Sequence, residues 1–257
     1  MFKSFTESEN RFRNLRIFNL VMGFFHLAQA VIMLMISNDY TQTLTTSFIK
    51  GVQTGEREFV FSTKPENFID INLGAAVAVF LFLSAAAHFL LASPMFYNWY
   101  VNNLKKGVNY GRWIEYSLSS SWMIIIIAIL TGMLDAPSLL LMASLNAMMI
   151  LFGYVMELHN QTTEKTDWTS FVFGCIAGAI PWVIIAWYFI SAVTNFEGEN
   201  PIPKFVYGIL ISLFVFFNIF AINMYLQYKK VGPWKNYLFG ETVFIIKSHK
   251  YVKGHLC

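Results

Sequence analysis

Long apolar runs dominate the sequence and constrain its fold more than any other feature. About 20 apolar residues in a helix cross the roughly 30 Å hydrocarbon core of a bilayer. Only 13% of the 257 residues are charged, against about 25% in soluble domains. The sequence therefore predicts an all-α membrane protein, a single domain over residues 1–257 that forms a bundle of seven transmembrane helices. The predicted spans cover residues 17–37, 69–93, 113–132, 137–157, 171–193, 205–227 and 237–257.

Turn residues separate these spans. Ser93-Pro94 ends the second span, and the segment from Asp135 to Ser138 forms a tight turn between the third and fourth. The longest connection, residues 38–68, is rich in threonine and contains the alternating segment TGEREFVFST. This pattern predicts a short β-hairpin in the first extracellular loop.

The distribution of lysine and arginine predicts the orientation of the bundle, because cytoplasmic loops carry the excess of these residues. One side holds Lys3, Arg11, Arg13, Arg16, Lys105, Lys106, Arg112, Lys165, Lys229, Lys230 and Lys235. The other side holds Lys50, Arg57, Lys64 and Lys204, and also the basic end of the seventh span. We therefore expect a multi-pass protein of the cell membrane, surrounded by lipid, with its N-terminus in the cytoplasm.

Polar residues recur within the spans at intervals of three or four, which places them on one face of a helix. They are His26 with Gln29, Ser84 with His88, Glu115 with Ser119, and Asn146, which shares its face with the apolar Met149. A charged group at mid-membrane costs at least about 2.5–3.5 kcal/mol, and such groups face the bundle interior. These polar faces together predict a central polar pocket. An isolated serine or asparagine is equally typical of contacts between helices.

Two further glutamates, Glu157 and Glu241, lie near span ends on the predicted cytoplasmic side. Taken alone, each is interpreted as a side chain solvated at the membrane interface. No phosphate-binding, zinc-binding or dinucleotide-binding motif occurs in the sequence. We expect no enzymatic activity, no catalytic residues, no metal and no nucleic-acid partner.

Several segments together resemble the heliorhodopsin family of retinal proteins, which have an inverted topology relative to other microbial rhodopsins. They are FHLAQAV (25–31), AAAHFLLASP (85–94), RWIEYSLSSSWMI (112–124), LNAMMILFGYVMEL (145–158) and FFNIFAINMYLQYKKVGPWKNYLFGE (216–241). The resemblance runs from about residue 12 to residue 246. It implies all-trans retinal, bound covalently to a lysine as a protonated Schiff base, and a homodimer.

The resemblance also implies roles for individual residues. Glu115 matches the counterion of the Schiff base. The residues that match the family's polar cavity beside the Schiff base are His26, His88, Ser84, Ser119 and Ser248. Those that match its retinal pocket are Gln29, Tyr116, Ser120, Asn146, Met149, Ile150 and Phe217. Those that match its polar residues on the cytoplasmic side are Glu157 and Glu241.

The attachment lysine departs from the family pattern. The family places it eleven residues after the glutamate that corresponds to Glu241, and this chain has Val252 at that position. Lys253 comes one residue later, about 100° around the helix, and Lys250 lies two residues earlier. Three explanations stay open: helix 7 shifts so that Lys253 attaches retinal, the tail is truncated or frameshifted, or the chain does not bind retinal covalently.

These observations favour a light sensor with a slow photocycle that signals to an unknown cytoplasmic partner. The third span has no carboxylate after Glu115, so the sequence shows no relay for a proton pump. Two alternatives are a light-gated ion or proton conductance and a non-photoactive seven-helix membrane protein.

Overall fold

A computed structural model describes residues 2–55, 58–195 and 203–253, with side chains from residue 10 to residue 245 within those ranges. Its helices and strands follow the apolar runs and the turns between them. They are α1 (Phe2–Ile36), β1 (Thr41–Gln53), β2 (Phe59–Asn72), α2 (Leu73–Ala92), α3 (Pro94–Lys105), α4 (Tyr110–Leu130), α5 (Ala136–His159), α6 (Thr169–Thr194), α7 (Lys204–Tyr228), a 3₁₀ turn (Gly232–Lys235) and α8 (Tyr237–Lys253).

Six of these helices are long and apolar enough to cross a membrane: α1, α2, α4, α5, α6 and α7. They coincide with the first six predicted spans, so the chain is a multi-pass membrane protein. The seventh predicted span corresponds to α8, which is 17 residues long and ends in the basic segment KSHKYVK. That α8 also crosses the membrane stays a prediction.

The connection between α1 and α2 is a two-stranded antiparallel hairpin with a register shift between Leu44 and Thr45. Its strands have 13 and 14 residues, so it is longer than the short hairpin that the sequence predicts. Residues 69–72, assigned to the second span from sequence, lie in β2 instead. The hairpin reaches the turn between α4 and α5, where the Thr45 amide donates to the Leu134 carbonyl over 2.8 Å.

The helix α3 was not predicted from the sequence. Ser93 ends α2, and its hydroxyl accepts a hydrogen bond from the Phe96 amide and so caps the next helix. Pro94 then occupies the first turn, where a missing amide hydrogen costs nothing. The same Ser-Pro pair thus ends one helix and begins another.

The helices pack as a bundle that leaves room between α5, α6 and α7. Helix α1 packs on α2, α2 on α4, α4 on α5, α5 on α6, and α8 on α7 and α1. Helix α6 meets α7 through the ring of Trp182, whose centroid lies 5.2 Å from those of both Phe214 and Phe217. An aromatic contact of this kind keeps the two backbones apart.

Asn72 fixes the junction between the hairpin and the bundle. Its side-chain oxygen accepts from the Ala75 amide at 2.8 Å and from the Ser37 hydroxyl at 3.1 Å, and its amide donates to the Asn38 carbonyl at 2.7 Å. It therefore caps α2 and ties the end of α1 to it.

We predict that Asn72→Ala lowers the free energy of unfolding by about 1–2 kcal/mol, since it removes the cap and both further hydrogen bonds. Thermal unfolding in detergent, followed by tryptophan fluorescence, measures the loss. Asn72→Asp keeps the oxygen acceptors and should lose less stability. Equal losses in the two variants would contradict the capping role.

Candidate functional site

Glu115 lies on the inner face of α4. It follows Arg112, near the start of the same helix, by about one helical turn. The Ser84 hydroxyl on α2 donates to Glu115 Oε1 over 3.0 Å, and Ser119 also hydrogen-bonds this carboxyl. Among the described side chains, Glu115 forms no ion pair. A carboxylate held only by hydroxyls inside a bundle provides a binding place for a cationic group.

The two predicted histidines stack on each other beside this carboxyl. The rings of His26 on α1 and His88 on α2 are nearly parallel, with centroids 5.5 Å apart. His88 Nδ1 lies 2.8 Å from Asn19 Oδ1, and the Asn19 amide donates to the Leu15 carbonyl over 2.9 Å. That second bond turns the Asn19 oxygen toward His88, which places the neutral ring's hydrogen on Nδ1 and leaves Nε2 as an acceptor.

The other polar residues of the predicted pocket occupy separate positions around it. The Asn146 amide donates to the Ser120 hydroxyl at 2.8 Å and to the Ser121 hydroxyl at 3.2 Å, and so joins α5 to α4. Tyr116 donates to the Phe244 carbonyl on α8 over 3.4 Å. Gln29 is buried on α1, and its side-chain oxygen accepts no hydrogen bond within the described part of the chain.

A cavity of about 420 Å³ opens between α4, α5, α6 and α7. Its walls include Trp113, Met149, Ile150, Trp182, Phe217 and Phe220. Gly153, Gly174 and Gly178 provide the room, since a Cβ at Gly178 would overlap the Met149 side chain. Its size and aromatic lining suit an elongated apolar ligand.

A second, polar cavity of about 30 Å³ adjoins the large one, because Ile150, Phe217 and Phe220 line both. Glu115, Ser84, Ser119 and Ser120 line the small cavity. A ligand that is apolar along its length and cationic at one end therefore matches the residues present. Retinal attached to a lysine through a protonated nitrogen has this chemistry.

The family model described as Heliorhodopsin matches residues 15–251 of the chain. The chain belongs to the heliorhodopsin family. Membership identifies it as a retinal-binding, light-sensing type of membrane protein. A comparison with curated proteins finds no match.

The heliorhodopsin match ends at residue 251, just before the position at which the family's lysine is expected. The backbone of α8 continues through Lys253. Ser248, Lys250 and Lys253 lie in this part of α8, and their side chains lie outside the described residues. The predicted attachment at Lys253, or at Lys250, stays a prediction.

A buried ion cluster joins α4, α5 and α8 at one end of the bundle. The Arg112 guanidinium pairs with Glu157 through one nitrogen and with Glu241 through the other. All three side chains are at most 4% exposed. Both carboxyls have further donors: Glu157 accepts from Trp113 Nε1 at 2.5 Å, and Glu241 accepts from Asn109 Nδ2 at 2.6 Å.

The interpretation of Glu157 and Glu241 as side chains solvated at the membrane interface is wrong, because both are buried in this cluster. The first turn of α4, the last turn of α5 and the first turns of α8 meet at the same end, so these residues approach one another in the fold. Arg112 was counted as a loop cation, but it is a buried partner of the two glutamates. The signal available in the sequence was its position directly before an apolar span, three residues from Glu115.

Tyr100 connects this cluster to the histidine pair from α3, outside the spans. It is 2% exposed and hydrogen-bonds to Asn19. Burial raises the pKa of Tyr100 above its ordinary value, and the Glu241 carboxylate adds to the increase. Its hydroxyl therefore stays protonated. Tyr100, Asn19, His88, Glu115 and Arg112 line one cavity of about 30 Å³, which is large enough for a water molecule.

We predict that Arg112→Met destabilises the protein by about 3–5 kcal/mol, because it leaves two carboxylates buried without a cation. The triple variant Arg112→Met, Glu157→Gln, Glu241→Gln removes both charges and should recover most of the loss. Thermal unfolding in detergent measures each variant.

The matched control is Lys50→Met, which breaks the half-exposed pair of Lys50 with Glu66 on the hairpin. It should cost no more than about 1 kcal/mol. If the triple variant were as unstable as Arg112→Met, charge burial would not explain the loss.

Proposed function

We propose that this heliorhodopsin is a photoreceptor that holds all-trans retinal on a lysine of α8, with Glu115 as the counterion. One observation supports the proposal most directly: Glu115 lacks an ion-pair partner within the described residues and borders a small polar cavity that adjoins a large apolar one. Bound retinal would supply visible-light absorption and an isomerisation about its C13–C14 bond. The surrounding side chains would hold the positive charge in place and accept the proton.

Glu115 would keep the lysine nitrogen protonated. A carboxylate a few ångströms away raises the pKa of a nearby cationic group. The Ser84 and Ser119 hydroxyls donate to the carboxyl and hold its negative charge in place. Both groups would lie inside the bundle, away from bulk water, so the attraction between the two charges is stronger than it would be at the surface.

His88 is placed to accept a proton released near Glu115. Its Nδ1 hydrogen is committed to Asn19, so Nε2 is the nitrogen that takes up a proton. His26 stacks against it, and the two rings are close enough to share the charge with a bridging water. A proton would then move locally and return, which suits a slow photocycle.

Ion pumping finds no support in the arrangement. After Glu115, α4 continues through serines and isoleucines without another carboxylate. Toward the other end, Arg112 is engaged by two glutamates at once. We propose a sensor without transport, and reproducible photocurrents under illumination would overturn this.

The end with the ion cluster carries most of the loop lysines, so we propose that it faces the cytoplasm together with the N-terminus. A signalling partner would contact this end. We also propose a homodimer, on the family resemblance.

Purified protein mixed with all-trans retinal should develop a visible absorption band that hydroxylamine bleaches. We assign the attachment to Lys253, so Lys253→Ala should abolish the band and Lys250→Ala should keep it. A protein that forms no band would overturn the proposal for this chain. The reverse result for the two lysines would move the attachment to Lys250.

The double variant Val252→Lys, Lys253→Ala tests the register of α8. It places the lysine eleven residues after Glu241, as in the family, and about 100° around the helix from Lys253. If α8 is shifted so that Lys253 faces the pocket, the band lost in Lys253→Ala should stay lost; a restored band would show that α8 keeps the family register and would contradict the assignment to Lys253.

We further predict that Glu115→Gln shifts the band to longer wavelength and lowers the pKa of the protonated nitrogen, because the cation loses its opposite charge. Absorption spectra across a pH titration measure both effects. Glu66→Gln, on the exposed hairpin, is the matched carboxylate control and should leave both unchanged. An unshifted Glu115→Gln spectrum would exclude the counterion role.

A further inference from the structure

Trp113 belongs to both the apolar cavity and the ion cluster. Its ring lines the cavity of about 420 Å³. Its indole nitrogen donates to Glu157 Oε2 over 2.5 Å. Trp113 is 5% exposed, so it lies inside the bundle between the two sites. Neither the apolar cavity nor the ion cluster by itself accounts for a residue that contacts both.

The indole ring has little freedom to move by itself. A Cβ at Gly153 would lie 2.5 Å from Trp113 Cζ3, so the ring packs directly against the backbone of α5. The Arg112 guanidinium lies 4.4 Å from the centroid of the same ring. Displacement of the ring therefore has to disturb α5, Arg112 or the hydrogen bond to Glu157.

The hydrogen bond from Trp113 helps to orient Glu157. Glu157 Oε2 also accepts from the backbone N–H of Asn109 at 3.1 Å, and Oε1 accepts from Arg112 and from the Tyr237 hydroxyl at 3.3 Å. Bonds to an ionised carboxylate are among the strongest in proteins. Loss of the indole donor would let the carboxyl rotate away from Arg112 and weaken the link among α4, α5 and α8.

We propose that Trp113 is a positioning residue that transmits a change of ligand shape in the apolar cavity to the ion cluster. When the ligand pushes the indole ring, the bond to Glu157 lengthens, and the ends of α5 and α8 move relative to each other. The inference rests on the proposed light-sensing function and adds its output step. It locates that step at the end with the loop lysines.

A second aromatic route reaches Arg112 from the same cavity. Phe220 lines the cavity and stacks on Phe244 with centroids 5.7 Å apart, and the guanidinium lies 4.1 Å from the Phe244 centroid. This route has no hydrogen bond to break. Phe244→Leu is therefore included in the test as the competing explanation.

The test measures the distance between spin labels on the two sides of the cluster, at Thr162→Cys and Lys235→Cys, with Cys175 and Cys257 replaced by alanine. The retinal-loaded protein should show a light-induced change on the order of 1–2 Å. Trp113→Phe, which keeps a ring but removes the donor, should reduce the change at least twofold per retinal-loaded molecule, with the visible band of each sample used to count the loaded molecules.

Trp122→Phe is the matched control. Trp122 also lies on α4, but its indole nitrogen donates to the Ala76 carbonyl at 2.8 Å and belongs to neither site. It should keep the full distance change. The inference is overturned if Trp113→Phe also keeps it, if Phe244→Leu alone removes it, or if the parent protein shows no change on illumination.

A cofactor-free measurement separates this inference from the proposed function. In protein without retinal, the decreases in unfolding midpoint caused by Trp113→Phe and Glu157→Leu should be non-additive, because Phe lacks the donor and Leu lacks the acceptor of the same bond. Additive decreases would overturn the inference even if retinal binds. Failure to form a visible band would count against the proposed function, and this cycle would still decide whether Trp113 holds the cluster.

Discussion

The pairing of Arg112 with Glu157 and Glu241 is the interaction on which the rest of the structure depends. A guanidinium in the interior of a bundle is tolerated only with opposite charges beside it, and here they come from α5 and α8. One cation and two carboxylates leave one net negative charge. Hydrogen bonds that Asn109, Trp113 and Tyr237 donate to the two carboxylates stabilise it. This network fixes where α4 begins and how α8 lies against it.

Because Arg112 is already paired with Glu157 and Glu241, Glu115 is a separate case. It lies one turn further along α4 and hydrogen-bonds to serines. The same helix thus presents a self-contained ion cluster and a carboxylate without an ion-pair partner in the described part of the chain. The difference between these two environments separates the proposed counterion from residues that hold helices together.

The first six spans could be predicted from hydropathy, because backbone hydrogen bonds inside a bilayer must be satisfied within the helix. The hairpin could be predicted but its length could not, since its second strand includes residues 69–72, which the sequence pattern assigns to the second span. The helix α3 could not be predicted because a Ser-Pro pair is typical of the end of a helix. The burial of Glu157 and Glu241 could not be predicted because a position near the end of a span does not show which other elements pack over it.

The sequence by itself determined the membrane class, the polar faces of the spans and the residues Glu115, His26 and His88, since local periodicity places each of them on a helix face. Only the tertiary structure decided which faces meet. Arg112 and Glu241 are 129 residues apart, and their pairing depends on a fold that brings the first turns of α4 and α8 to the same end of the bundle. Trp113 reads as an apolar residue of a span, and only the packing against Gly153 and Glu157 gives it a place in two sites.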